Sequence, residues 1–376
     1  MFLHPSEPDR SGGCQYKTMK HNILISVSIL AAFIGCTKID VRAPEHIVSA
    51  VRFNAPVVSN ITKATGEIDG EYPIDESFAV FSVYHADGFD GWGTGISYIN
   101  RAKFTYDASL DDSDADTLGG WTGGYYFPKN GSLSFAAYSP YSAHKDSPDA
   151  GTGTFEYASG GLTITNFTVP ALADQYDLMY SERIYNKTGN DGVGDGYEGL
   201  DLVFQHALSA IHFQVQQKAE YTGYTIKLKS ISLNDIRYKG SFSENITNEN
   251  PTSFVSAPKW VPVSDQYADY NIYSGDLKLT QIGGSNYHTG FPGAILLPQS
   301  FTSSDTAYIT IDYSITPPSM PGSEISQTAT VPLYKLSNTW EMGKRYTYNI
   351  SIGYDAITIS PTVLGWTDVP GDITVN

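Results

Sequence analysis

Cys36 is the residue whose surroundings most plainly invite chemistry. Lys20 and His21 lead into twelve mostly apolar residues, which close on Ile34, Gly35 and Cys36. A thiol directly behind a small residue, at the end of such a run, is an acylation signal. Gly35 lets a peptidase reach the backbone, and the Cys36 sulfur takes the lipid. The run is too short to span a bilayer and continues into polar chain, so it reads as a removable export signal. The plainer alternative is a secretory segment with a chance cysteine. Met19 suits the start of that signal, which makes residues 1–18, with Cys14, upstream sequence and residues 1–35 the part that is lost. Cys36 is then the only cysteine of the mature chain, leaving neither a disulfide nor a thiolate metal site.

The remaining constellations are weaker. Asp112, Asp114 and Asp116 are spaced like the start of a calcium loop, but Thr117 and Gly123 stand where that loop needs Gly and a bidentate Glu. Asp191 and Asp195 sit among glycines, and both acidic clusters are expected to be solvated loops. His206 and His212 have no carboxylate–His partner at zinc spacing, and packed or capped strand histidines are expected. No Gly-x-Ser-x-Gly elbow, His-Glu-x-x-His or phosphate loop occurs. Trp121 with Tyr125 and Tyr126 could stack on a sugar ring, or could cover a core edge. No metal, cofactor or catalytic residue is assigned, and an enzyme is not expected.

The elements that must position such residues are strands. Tyr (27) and Gly (35) are abundant, and tyrosine and β-branched residues favour pleated surfaces. Alternating segments bounded by Gly, Pro, Asn and Asp recur at 47–53, 78–84, 133–138, 162–169, 210–217, 226–233, 294–297, 308–315, 346–352 and 357–363. In 210–217, Ile211, Phe213 and Val215 point one way and His212, Gln214 and Gln216 the other, which predicts a strand with one wet face. The loop 186–196 is rich in Gly, Asn and Asp and divides the chain into domains at 36–197 and 198–376, each large enough for its own core. Polar stretches 107–120, 142–153 and 241–255 are expected to be surface loops. Without residues 1–35 the chain has 20 basic and 38 acidic residues, which disfavours nucleic acid and anionic membranes.

Several segments together resemble the fimbrillin-like lipoproteins of the Bacteroidales, the type V pilins. The first are Val48–Phe53 and the basic loop Ile61–Gly66 around Lys63 and Ala64. Next come Phe78–Tyr84, Asp177–Tyr180 and the His-Ala strand Leu202–Phe213. The most specific is the end, Trp340–Ile350 followed by Ile357–Val363 and Gly365-Trp366. The resemblance implies an all-β fold of two tandem transthyretin-like Greek-key β-sandwich domains. It also implies a subunit of a cell-surface fimbrium, structural or accessory, that serves adhesion. In such a family the lipidated precursor reaches the outer membrane and a trypsin-like surface protease cuts behind the first strand. A strand of the next subunit then fills the opened groove.

Carried to this chain, the lipid anchor is Cys36 and the cleavage candidates are Lys63 and Arg52. Lys63 stands where the family usually has Arg, and a cut at Arg52 would divide the strand. A cut at Arg42 would leave the strand in place. The strand to be removed presents Ile47, Val51 and Phe53, or the opposite face through Val48 and Ala50, since alternation alone does not fix the register. The donor candidates are Ile357, Ile359 and Val363, or Ile373–Val375. The partners implied are other pilin subunits, the protease, the outer-membrane anchor, and ligands on host or bacterial surfaces. The alternative reading is a surface-exposed glycan-binding outer-membrane lipoprotein that uses exposed aromatics. It requires an aromatic platform over a shallow groove.

Overall fold

The computed structural model describes residues 50–58, 67–68, 72–110, 120–147, 151–189, 199–354 and 356–366. Regular structure among them consists of strands and short 3-10 turns, so the chain is all-β. Every alternating segment read from the sequence is a strand over most of its length. The first half contributes β1 (Ala50–Phe53), β2 (Val57–Val58), β3 (Phe78–His85), β4 (Ile96–Asp107), β5 (Gly120–Tyr126) and β6 (Ser132–Ser139). It continues with β7 (Thr154–Ala158), β8 (Gly161–Thr168), β9 (Met179–Ser181), β10 (Ile184–Lys187) and β11 (Val203–His206).

The largest sheet runs β1-β5-β4-β3-β6-β9-β11-β2, with β10 also paired to β6. Its central strands β3 and β6 are buried on almost every residue, because both faces of the sheet are covered. Phe78, Val80, Leu133, Phe135 and Ala137 pack into one core. Ala79, Phe81, Val83, Ala136 and Tyr138 belong to the other. This is the continuous apolar reading of a doubly covered strand, rather than an alternating one.

After residue 206 two four-stranded sheets follow. One orders 294–296, 209–217, 344–352 and 357–365, and the other 267–278, 225–237, 308–316 and 325–332. Only the last pair of each sheet is consecutive in the chain, and their buried residues, from Ile211 to Ile352, join the second core. Strands 259–262, 239–243, β8 and β7 form a further sheet in that order, so one sheet joins residues from both sides of the 186–196 loop. From His46 onward the chain forms one compact unit.

Two expectations change. The 241–255 stretch is not simply a loop: Phe242 is buried in the strand Lys239–Ser243, and the buried Glu244 accepts from Leu162 N at 2.9 Å. Its few large apolar residues, Phe242, Ile246, Phe254 and Val255, are too widely spaced to carry a period that would announce this. The polar side of 209–217 is also only half wet. This strand lies parallel to 344–352, and His212, Gln214 and Gln216 face Thr347, Asn349 and Ser351. Gln216 Nε2 donates to Ser351 Oγ at 3.0 Å, so a ladder of polar pairs replaces water.

Candidate functional site

The first strand is bonded along both of its edges. On one side β1 runs antiparallel to β5, with Ala50 opposite Tyr126, Arg52 opposite Thr122 and Phe53 opposite Trp121. On the other, Leu200 N donates to Arg52 O at 3.0 Å and Asn54 N donates to Leu200 O at 2.9 Å. Val57 N then donates to Leu202 O at 2.8 Å, and β2 continues parallel to β11 through Val57↔Val203 and Val58↔Phe204. Residues 50–58 therefore occupy a slot between β5 and residues 200–204, joining the two ends of the large sheet.

The strand also closes the core. Val51 and Phe53 are fully buried and Val58 nearly so. The Phe53 ring meets Phe78, Phe104 and Phe135 edge-on, at centroid distances of 5.6, 5.4 and 5.7 Å, the T-shaped geometry aromatic pairs prefer. Room for Phe104 is made by Gly123, where a Cβ would stand 2.6 Å from the ring. Each such apolar side chain contributes about 1.5–3 kcal/mol on burial. Taking the strand away would leave two rows of unpaired backbone groups flanking an aromatic pocket, a combination that only another extended segment satisfies.

Of the two faces the sequence allowed, the inward one carries Val51 and Phe53, while Ala50 and Arg52 are half-exposed. Cys36, Ile47, Lys63 and the two acidic clusters lie outside the described residues, as do residues 373–375. Ile357, Ile359 and Val363 lie in the edge strand Ile357–Gly365, paired along its length with Lys344–Ile352. Ile357 and Ile359 pack against the second core, and Val363 is exposed. Trp121 is only 2% exposed and bonds Glu76 O through Nε1 at 3.3 Å. It is a core residue and cannot form a sugar platform with the exposed Tyr126.

Sequence reasoning missed a buried charge network behind the first strand. Glu67 Oε1 lies 2.8 Å from His212 Nε2, and Glu67 Oε2 accepts from Arg345 Nη2 at 2.8 Å. Burial pushes the Glu67 carboxyl upward, but His212 and Arg345 outweigh it and hold it below its ordinary value. Ile68 N donates to Asp177 Oδ2 at 3.2 Å, and the same oxygen lies 2.8 Å from His206 Nδ1. Burial raises the Asp177 carboxyl, against the pull of His206. The His206 ring stacks on Trp366 at 4.1 Å, with 2° between the planes. Both histidines are thus strand residues that face a buried carboxylate. Their carboxylates come from elsewhere in the chain, so no spacing could have shown the pairs. Among the described residues no three His, Cys, Asp or Glu side chains gather as a metal would require.

A family model described as fimbrillin-like matches residues 62–366. The chain belongs to the fimbrillin-like family. A fimbrial protein from Bacteroides vulgatus ATCC 8482 is 17% identical, and the match covers 84% of this chain and 100% of that one, with a TM-score of 0.55. The tip fimbrial protein Mfa3 from Porphyromonas gingivalis, with a C-terminal truncation, is 12% identical over 85% of this chain and 99% of its own, with a TM-score of 0.38. The first of these likenesses shows that this fimbrillin-like chain shares its fold with a fimbrial protein. No curated protein matches the sequence.

Proposed function

We propose that this fimbrillin-like chain is a structural or accessory subunit of a cell-surface fimbrium, a type V pilus, and serves adhesion rather than catalysis. It reaches the outer membrane tethered through lipid on Cys36. A trypsin-like surface protease cuts after Lys63, and the segment carrying β1 and β2 leaves with the anchor. A strand from another subunit then enters the vacated slot. The observation that carries this reading is the two-edged pairing of residues 50–58, with Phe53 at the centre of an aromatic core. A strand so placed can be exchanged for another without changing the rest of the sheet, since β-augmentation satisfies the same backbone groups. The chain is read as two tandem sandwich domains that meet near residue 197.

The test is to express the chain from Thr37, treat it with trypsin, and follow it by native gel and mass spectrometry. The expected result is a single cut after Lys63, loss of the preceding segment, and a ladder of oligomers. A chain that is cut there, loses the segment and stays strictly monomeric would overturn strand exchange.

A further inference from the structure

An irregularity in β4 builds a second candidate site. Its pairing with β3 jumps from Val80↔Ala102 to Ser82↔Ile99, so Asn100 and Arg101 together oppose Phe81. Arg101 takes φ 53°, a left-handed conformation that an arginine adopts only under constraint. Bulges of this kind re-aim a side chain and recur beside functional sites. The re-aimed guanidinium lies 5.6 Å from the Tyr141 ring, which Lys103 Nζ also approaches at 5.7 Å. Its charge is felt by Tyr138, His144 and Asp146. The guanidinium hydrogen-bonds toward the Tyr138 hydroxyl, while the buried Arg101 Nη1 makes no well-aligned hydrogen bond among the described residues. A buried charged donor left unsatisfied is costly and requires an explanation.

The guanidinium borders a groove of about 580 Å³ lined by Asn100, Arg101, His144, Lys145, Asp146 and Glu156, among others. That volume is within the range of small-ligand sites, about 300–1,000 Å³. Lys145 Nζ is held by Asp146 Oδ1 at 2.8 Å, which leaves Arg101 to meet an incoming anion. His144 Nδ1 accepts from Asp146 N at 3.0 Å, so the neutral ring keeps Nε2 as a donor. A second depression of about 190 Å³ shares Asn100 and Tyr157 with the groove and passes over Ser82 and Trp92. The Ser82 hydroxyl there is also buried without a partner.

We propose that this groove binds a carboxylate-bearing saccharide. Arg101 would take the carboxylate through two parallel N–H donors, and Asn100, Asp146 and Glu156 would take ring hydroxyls. The adjoining depression would receive the ring's apolar face. The mixed lining decides among anions. Asp146 and Glu156 repel a dianionic phosphate, and a neutral sugar would leave the Arg101 charge without an anion. The site is independent of strand exchange, because its residues lie outside β1 and β2.

The test titrates the chain from Thr37 with glucuronic acid and N-acetylneuraminic acid by calorimetry, with glucose and inorganic phosphate for comparison. At least one acidic sugar should bind saturably, and glucose and phosphate more weakly. Arg101→Gln should weaken the acidic sugar about tenfold or more, as expected for losing a bidentate ionic contact. Lys145→Ala, at a surface position, should release Asp146 and change affinity several-fold without altering the melting curve. Should Arg101→Gln not fold, the Lys145→Ala variant and the ranking of the four probes decide. The proposal is overturned if neither acid binds, if phosphate binds as tightly, or if the folded Arg101→Gln and Lys145→Ala chains both bind as the unaltered chain does.

Discussion

Glu67 and Arg345 meet at 2.8 Å across 278 residues of sequence. Glu67 stands just behind residues 59–66, the stretch that holds Lys63, and is fastened by ionic hydrogen bonds to strands 209–217 and 344–352. Residues 50–58, ahead of that stretch, are fastened by sheet bonds and apolar packing to β5 and residues 200–204. A cut between them would leave two ends held by different means. The first strand could then depart while the chain behind the cut stays anchored, provided that the Glu67 network holds without the strand.

That network gives a prediction with a defined sign. Glu67 is held below its ordinary pKa of 4.5, with burial opposing and His212 and Arg345 prevailing. Its contribution is therefore complete above pH 4.5 and is lost as pH falls through the lower folded-state value. Asp177, raised by burial above 3.8, acts oppositely: its contribution is present below 3.8 and lost as pH rises through its folded-state value. Glu67→Gln should cost about 3–5 kcal/mol at neutral pH, the cost of removing one charge of a buried ion pair. It should also flatten the acid limb of the stability profile. Urea unfolding of both chains, from neutral pH down to about pH 3, checks this. An acid limb of unchanged slope in the variant would refute the assignment.

Phe53 offers a second test. Truncating a ring that touches three other phenylalanines should cost about 3–5 kcal/mol. Val57, in the same segment, is 56% exposed, so Val57→Ala should stay within about 0.5 kcal/mol. Denaturant unfolding separates the two. Phe53→Ala should also release the strand sooner after trypsin treatment. Equal release rates for the two variants would mean that Phe53 does not hold the strand in place.

Much of this arrangement was legible in the sequence, and the remainder had a physical reason to be hidden. Residues 210–217 and 308–315 alternate because one face of each meets the core, and period two records that directly. β5, Gly120–Tyr126, has Gly123 and Gly124 at its centre. It therefore shows no alternation, yet it forms one wall of the slot. Residues 200–204, the other wall, lie beside the glycine-rich loop that drew attention as a boundary. The inward face of the first strand could be narrowed to two choices but not fixed until Phe53 was seen among Phe78, Phe104 and Phe135. The roles of Glu67, Asp177 and Arg101 could not be read locally, because each takes its meaning from groups remote in the chain or from a one-residue bulge, even where, as at Asp177–Tyr180, the segment itself stood out.

The carboxyl end provides the last prediction. Strand Ile357–Gly365 is already in use: it pairs from Ile352↔Ile357 to Lys344↔Gly365, with Ile357 and Ile359 against the core. Trp366 N donates to Gly343 O at 2.8 Å, and its ring is buried against His206. Donating Ile357, Ile359 and Val363 to a neighbour would require withdrawing that whole strand from its own sheet, breaking a nine-residue ladder and uncovering part of the core. Residues 373–375, the other candidate donor, lie outside the described residues. With 357–366 engaged in this way, the donor role falls to residues 373–375, and a chain ending at Trp366 should be cut by trypsin at the same place yet form no oligomer ladder. Native gels of the two chains after trypsin decide the matter. A ladder from the shortened chain would return the donor role to Ile357–Val363.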